Sequence, residues 1–349
     1  MSNDVLLDAE DLNGYLTNSD HENINKVEAL YNEYIEISKA YLNDKSEADN
    51  LSLKSKEIGA LLKNICKDED QINIYSFKSP KEQHAGVSRL IAKLRKEDIS
   101  HEEFLYYIQR AYEILFEHIY CDKSLNKKRS LIQPTPVDIP TRAFAVHRIP
   151  DVDSSIENAV MCVMLRGALL PSMIISKEIQ DYSSTGYITP FALFKISRND
   201  KKSEKNMQYA LSLDKSFFDL SKLNGKDLVF ADPMNATGGS LITIVKYLES
   251  INIIPKSITF INVLSTLKGA LRISRALPNC NIYTLWMDPV MNEKAYILPG
   301  LGDAGDKLNK KDDEDHPRNI IQLLADYGQG ITNLYRSQVR EIENTVLPN

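Results

Sequence analysis

The chain has 349 residues, 43% of them apolar, with Lys+Arg 42 against Asp+Glu 48 and a net charge of -6. That length and composition allow one large buried core with appended segments, and the acidic balance argues against a general nucleic-acid binder. Cys66, Cys121, Cys162 and Cys280 form no CxxC or zinc spacing, so a zinc-finger or disulfide scaffold is not indicated and a reduced, cytoplasmic setting is expected.

In chain order, residues 1–20 are polar and acidic, read as a poorly ordered start without the apolar core of a signal peptide. No run approaches a membrane span. Between 22 and 66, Ile24, Val27, Leu30, Tyr31 and Tyr34, then Ile58, Leu61, Leu62 and Ile65, recur at helical steps. Residues 1–70 are therefore expected to form a helical extension. Residues 83–97 and 101–120 predict a second helix pair, with Ser100 as N-cap and Glu103 placed for a capping box. His84, His101 and His118 are scattered and read as surface or helix-end residues, and short basic runs such as Lys201-Lys202 as solvated.

From about 141 the pattern alternates. Strands are expected at 142–148, 158–165, 187–196, 206–212, 226–231, 257–263 and 280–286, and helices at 169–180, 239–250 and 267–276. This is α/β patterning: a parallel sheet covered by helices on both faces. Residues 71–308 form the main domain. Residues 309–349 read as a charged linker and a helical tail, with Ile320, Leu323, Leu324, Tyr327, Ile331, Leu334 and Tyr335 on one side. Ligands on such sheets collect at the carboxyl ends of strands. Arg166, Asp232 and the segment after Trp286 all fall there.

Two segments carry chemistry. In LVFADPMNATGGS (228–240) an apolar strand delivers Asp232, and a turn through Thr237, Gly238, Gly239 and Ser240 opens a helix. Unpaired amides and the helix dipole at such a turn favour a phosphate, and the glycines let the backbone approach it. The turn has neither the Lys of a P-loop nor GxGxxG spacing. The second segment, NEKAYILPGLGDAGDK (292–307), has no helix period. Its Gly300, Gly302 and Gly305, with Asp303 and Asp306, suit a loop whose main chain reads a small planar ligand.

ADPMNATGGS resembles the phosphoribosyl-diphosphate loop of uracil phosphoribosyltransferases, and YILPGLGDAGDK resembles the uracil-binding segment of that family. Met164-Leu165-Arg166-Gly167-Ala168 and Ile196-Ser197-Arg198-Asn199-Asp200 are weaker matches to two more of its motifs. The resemblance spans roughly residues 72–308. It implies a phosphoribosyltransferase fold and the transfer of a phosphoribosyl group to uracil, giving UMP, with Mg²⁺ held mainly by the substrate. It implies a homo-oligomer acting on small molecules, with no nucleic-acid or membrane partner.

The roles it implies are these. Asp232, Arg166 and Asp303 are catalytic. Arg166, Arg198, Asp232, Pro233, Met234, Asn235, Ala236, Thr237, Gly238, Gly239, Ser240 and Asp303 bind phosphoribosyl diphosphate. Ile297, Gly302, Asp303 and Ala304 bind uracil, and no residue set forms a metal site of its own. Tyr209 either helps close the site or is a packed tyrosine. Two departures stand out: Arg166-Gly167-Ala168 inverts the usual Ala-Gly order, and Ala295 replaces the usual Gly before Tyr296. With the extra terminal helices, the first motivates a second reading, a weakly catalytic homologue acting as a nucleotide sensor or interaction module. A third is a phosphoribosyltransferase for another base.

Overall fold

The computed structural model describes residues 4–121, 127–199, 201–309, 319–326 and 336–347. The N-terminal part runs β1 (Asp4–Asp8), α1 (Ala9–Gly14), α2 (Asn18–Asn43) and α3 (Ala48–Cys66). Then come β2 (Ile72–Ile74), α4 (Tyr75–Lys78), α5 (Lys81–Leu94) and α6 (His101–Phe116). A hairpin of β3 (Lys128–Pro134) and β4 (Phe144–Pro150) and a short α7 (Asp153–Ile156) follow. The alternating part is β5 (Ala159–Leu165), α8 (Leu169–Tyr182), β6 (Phe191–Arg198), β7 (Gln208–Phe217), β8 (Asp227–Ala231), β9 (Met234–Asn235), α9 (Gly239–Ser250), β10 (Ser257–Thr266), α10 (Leu267–Ala276) and β11 (Cys280–Asp288). The chain continues with β12 (Val290–Met291), β13 (Ile297–Leu298), α11 (Ala304–Asn309), α12 (Ile320–Asp326) and α13 (Arg336–Val346).

The main sheet has the order β1-β7-β6-β5-β8-β10-β11-β2, with β9 also pairing β10. From β6 to β2 all pairings are parallel. The central strands are buried on both faces, as AVMCVML and LVFA require. Helices α6 and α8 pack on one face, α9 and α10 on the other. The strand order changes direction between β5 and β8. The crevice above those carboxyl ends is where such sheets take ligands.

Three expectations need correcting. Residues 4–20 are ordered into β1, α1 and the start of α2. β1 adds antiparallel to β7 at the sheet edge, and Ala9, Leu12 and Leu16 are buried. Five residues of strand edge and three apolar anchors outweigh the acidic composition that suggested disorder. The sheet is also not wholly parallel. β7 runs antiparallel to β6 because the connection between them is too short for a crossover helix. Finally, the strand expected at 142–148 lies outside the main sheet, in the β3–β4 hairpin. Most of the charged linker, Asp200, and Leu324, Tyr327, Ile331, Leu334 and Tyr335 of the tail lie outside the described residues or side chains.

An arginine of α10 helps fasten the α2–α3 hairpin and the turn after it to the sheet domain. Arg275 of α10 donates to both oxygens of Asp20, at 2.9 and 3.0 Å, and to both of Glu69, at 2.6 and 2.8 Å. Burial pushes the Asp20 carboxyl up, but the Arg275 fork and the Thr17 cap bring it below its ordinary value. Ser100 caps α6 through the Glu103 amide at 3.2 Å, as expected. All four cysteines are buried thiols, and among the described residues no helix is long and apolar enough to cross a membrane.

Candidate active site

The turn from Asp232 to Ser240 is built from behind. β8 ends at Ala231, and Asp232 turns its carboxylate back to accept the Met234 amide at 3.0 Å. Pro233 has no N–H to offer, but its carbonyl accepts from Val263 and Leu264 of β10. Asn235 points inward, donating to Ser265 Oγ at 2.9 Å, and Thr266 Oγ1 donates to the Ala236 carbonyl at 2.5 Å. Of the expected binding residues, Asn235 therefore contributes its side chain to the scaffold. Gly238 has φ +78, a left-handed conformation that glycine supplies at low cost, and α9 starts at Gly239. The amides at the start of this helix face a cavity of about 120 Å³ lined by Arg198, Tyr209, Asp232, Met234, Thr237 and Ser240 among others.

Tyr209 is a structural member of this turn. It lies on β7, is buried, and its hydroxyl bonds Thr237 Oγ1, which also accepts the Gly239 amide at 3.3 Å. Its ring lies against Gly239, where a Cβ would stand 2.3 Å from it. The packed-tyrosine alternative holds.

Arg166 follows β5 directly and is half-buried; its peptide bond with Leu165 is cis. Arg198 ends β6. Its guanidinium lies over the Tyr296 ring, 5.1 Å from the centroid, and Nη1 donates to the Ala295 carbonyl at 3.4 Å. Arg198, which lines the cavity beside Asp232 and Thr237, thus ties it to the later loop.

That loop reaches the ends of β5 and β6. A Cβ built on Gly167 would stand 3.6 Å from the Gly305 Cα, so the turn after β5 and the Gly-rich loop are in contact. Inverting the Ala-Gly order puts the residue without a side chain at this contact. Asp288, at the end of β11, accepts the Gly300 amide at 3.0 Å and Arg95 Nη2 at 2.6 Å. Gly300 (φ +64) and Gly302 (φ +81) are both left-handed, and a Cβ on Gly300 would meet the Ile297 carbonyl at 2.1 Å. Ile297 itself pairs with Met291 in the two-residue β12–β13 ladder.

The loop ends in helix where none was expected. Asp303 caps α11, its Oδ1 accepting the Asp306 amide at 3.0 Å. A cap needs only one acceptor oxygen, and six residues of helix are too short to show a period. Ala304 is buried at the helix start. Ala295, the second departure, has φ +59. An alanine pays about 1–2 kcal/mol there that glycine would not.

The Asp303 charge reaches Asp232. Burial pushes the Asp232 carboxyl up to about 7; the Met234 amide pulls it down and the Asp303 charge adds to the rise. Among the described residues no group of three or more His, Cys, Asp or Glu could hold a metal.

One supporting residue was not anticipated. Arg272 of α10 is fully buried; it donates to Glu204 Oε1 at 2.8 Å, to Asn13 Oδ1, and to the Thr237 carbonyl at 3.5 Å. It links the N-terminal segment and the turn at Glu204 to the phosphate loop. Burial raises the Glu204 carboxyl, but Arg272 and Lys268 hold it below its ordinary value. The available signal was a charged residue within the buried LKGALRIS helix, since such a charge is almost always paired; its acid could not be located from spacing. Arg272→Met leaves Glu204 buried with only the half-exposed Lys268. It is expected to cost about 3–5 kcal/mol, read as a drop in the urea midpoint. An unchanged midpoint would remove Arg272 from this role.

Comparisons with known proteins fall on these same elements. A family model described as uracil phosphoribosyltransferase matches residues 186–310. The uracil phosphoribosyltransferase of Campylobacter curvus is 34% identical over 149 residues, 43% of this chain and 64% of that protein. That of Fervidobacterium nodosum is 44% identical over 93 residues, 26% of this chain and 44% of that protein. The chain thus spans just under two thirds of the length of the first of these relatives. A solved structure from Aquifex aeolicus aligns with 64% of this chain and 94% of its own at 21% identity and a TM-score of 0.44. Through residues 186–310, which hold Arg198, the phosphate turn and the Gly-rich loop, the chain resembles the uracil phosphoribosyltransferases, with helical segments added on its N-terminal side.

Proposed function

We propose that this protein joins N1 of uracil to C1 of phosphoribosyl diphosphate, releasing diphosphate and giving UMP in pyrimidine salvage. One observation carries the reading: Arg198, which lines the cavity at the amide end of α9 together with Asp232, also donates to the Ala295 carbonyl and lies over Tyr296 at the start of the Gly-rich loop. The C1–O bond breaks with its electron pair leaving on diphosphate, and the N1–C1 bond forms as N1 gives up its proton. The amides of Thr237, Gly238, Gly239 and Ser240 hold the 5′-phosphate. Asp232 faces the ribose hydroxyls. Arg166 and Arg198 take the diphosphate, where a guanidinium fork fits oxyanions. The main chain at Ile297, Gly302 and Ala304 reads the uracil edge, and buried donors and acceptors reject a base that cannot satisfy them. Holding both substrates in one water-poor crevice supplies orientation and charge stabilisation.

Mg²⁺ fits this donor set. An ion held mostly by phosphate oxygens and water needs no cluster of three protein ligands, and none is found among the described residues. Asp303 would approach the ion and Asp232 its bound water, and the ion would neutralise the departing diphosphate. The transferase unit is residues 71–308, working in the cytoplasm on small molecules rather than nucleic acid.

The test is UMP formation from labelled uracil, Mg²⁺ and phosphoribosyl diphosphate. Wild type is expected to make UMP, and Asp232→Asn to lose about 100-fold or more in kcat/KM. Absence of product would favour the sensor reading; product with another base alone would redirect the specificity.

We further propose a homo-oligomer. The β3–β4 hairpin exposes Ile132, Phe144 and Val146 at 62%, 59% and 63%, and an isolated two-stranded hairpin is marginal in water. A second copy covering it accounts for both. Ile132→Lys with Val146→Lys is expected to shift the sedimentation mass to one chain; an unchanged mass would exclude the hairpin as the contact.

A further inference from the structure

A cavity of about 830 Å³ lies outside the proposed catalytic crevice, between the α2–α3 hairpin, α5 and the end of β11. Its volume is in the range of small-molecule sites. The walls are flat-faced and apolar. Tyr31 stacks on Tyr34 at 5.4 Å, and His84 stacks on Trp286 at 5.8 Å between centroids. Ile58, Leu62 and Ile91 complete them. At its floor the Asp288 carboxylate is already engaged by Arg95 at 2.6 Å. At the rim stand Lys56 and Lys63, two turns apart on α3. No ion pair among the described residues takes either one. The surplus charge facing the cavity is positive.

A glycine holds the space open. Gly59 sits in the middle of α3, where it is about 1 kcal/mol less favourable than alanine. It lines the cavity, and a Cβ there would meet nothing within 4 Å. The residue weakens the helix without relieving any crowding, and its consequence is room.

We infer that this cavity is a binding site for a flat aromatic anion, its ring against the Tyr31, Tyr34 and Trp286 faces and its charge at Lys56 and Lys63. The occupant would touch Asp288, whose second oxygen holds the Gly300 amide at the root of the Gly-rich loop. The site is thereby placed to act on that loop from behind. Binding itself does not depend on the proposed transferase reaction, so the two can fail separately.

Trp286 is the chain's one tryptophan, so the site carries its own reporter. Anilinonaphthalene sulfonate titrated into the full chain without substrates is expected to bind saturably, one per chain, with energy transfer from Trp286. Gly59→Leu fills open space with a better helix former. It is expected to keep or raise the melting temperature while abolishing the signal. Lys56→Glu with Lys63→Glu is expected to weaken binding about tenfold. No saturable transfer from Trp286, or equal binding by the Gly59→Leu protein, would overturn the site. Equal binding by the double Glu variant would overturn its preference for an anion.

Discussion

Gly239→Ala is expected to lower the affinity for phosphoribosyl diphosphate about 100-fold and to destabilise the chain by about 1–3 kcal/mol. The added Cβ would stand 2.3 Å from two atoms of the Tyr209 ring. That ring has no retreat. Its strand is paired on one side with β6 and on the other with β1, and its hydroxyl is bonded to Thr237. Relief must come from the α9 terminus, whose amides then leave the phosphate. Equilibrium dialysis with labelled phosphoribosyl diphosphate and thermal melting check the two parts. Gly239→Ala with Tyr209→Leu should recover stability, since the smaller side chain vacates the ring edge. Gly238 makes an informative contrast. Its Cβ would meet Ile273 Cγ1 at 2.9 Å and the Gly269 carbonyl oxygen at 3.0 Å, looser contacts than 2.3 Å, and the φ of +78 adds about 1–2 kcal/mol for any L side chain. Gly238→Ala should therefore damage affinity less than Gly239→Ala. Unchanged affinity in the Gly239 variant would contradict the assigned turn.

The second large effect is on pH. The folded Asp232 carboxyl, at about 7, lies above its unfolded value of about 3.9. The neutral form is favoured in the folded chain, so this group's contribution to stability is fully present below about pH 3.9 and is lost as pH rises from there through about 7. A ligand that needs the carboxylate, such as a metal-bound sugar diphosphate, must draw that proton off. Its affinity is therefore expected to fall about tenfold per pH unit below 7, and to level off above it. Dialysis between about pH 5 and pH 8 would show the slope. Asp232→Asn should bind weakly throughout and retain only the slope due to the ligand's own phosphates. A wild-type profile no steeper than that of the variant would remove Asp232 from the binding step.

Local signals carried far in this chain. The run LVFAD followed by TGGS specified a buried strand, an acid at its end and a helix start. Each depends on neighbouring residues: apolar continuity, a glycine with positive φ, and amides left without partners. The same holds for Ser100, whose cap is set within three residues of its acceptor. Short-range chemistry failed at α11, where one capping aspartate outweighed a glycine-rich composition, and at residues 4–20, whose order depends on an edge strand some 200 positions away in β7.

Spacing and composition thus determined the alternating core, the Asp232 carboxylate at a strand end and the glycine-lined turns, because these are properties of a chain and its nearest neighbours. Only the folded molecule decided that Gly167 meets Gly305, that Tyr209 lies under Gly239, that Arg272 finds Glu204, and that the α2–α3 hairpin encloses a cavity behind the Gly-rich loop. Those contacts join residues far apart in sequence. Their energies come from packing and from pairing buried charges, and neither leaves a periodic trace in the order of amino acids.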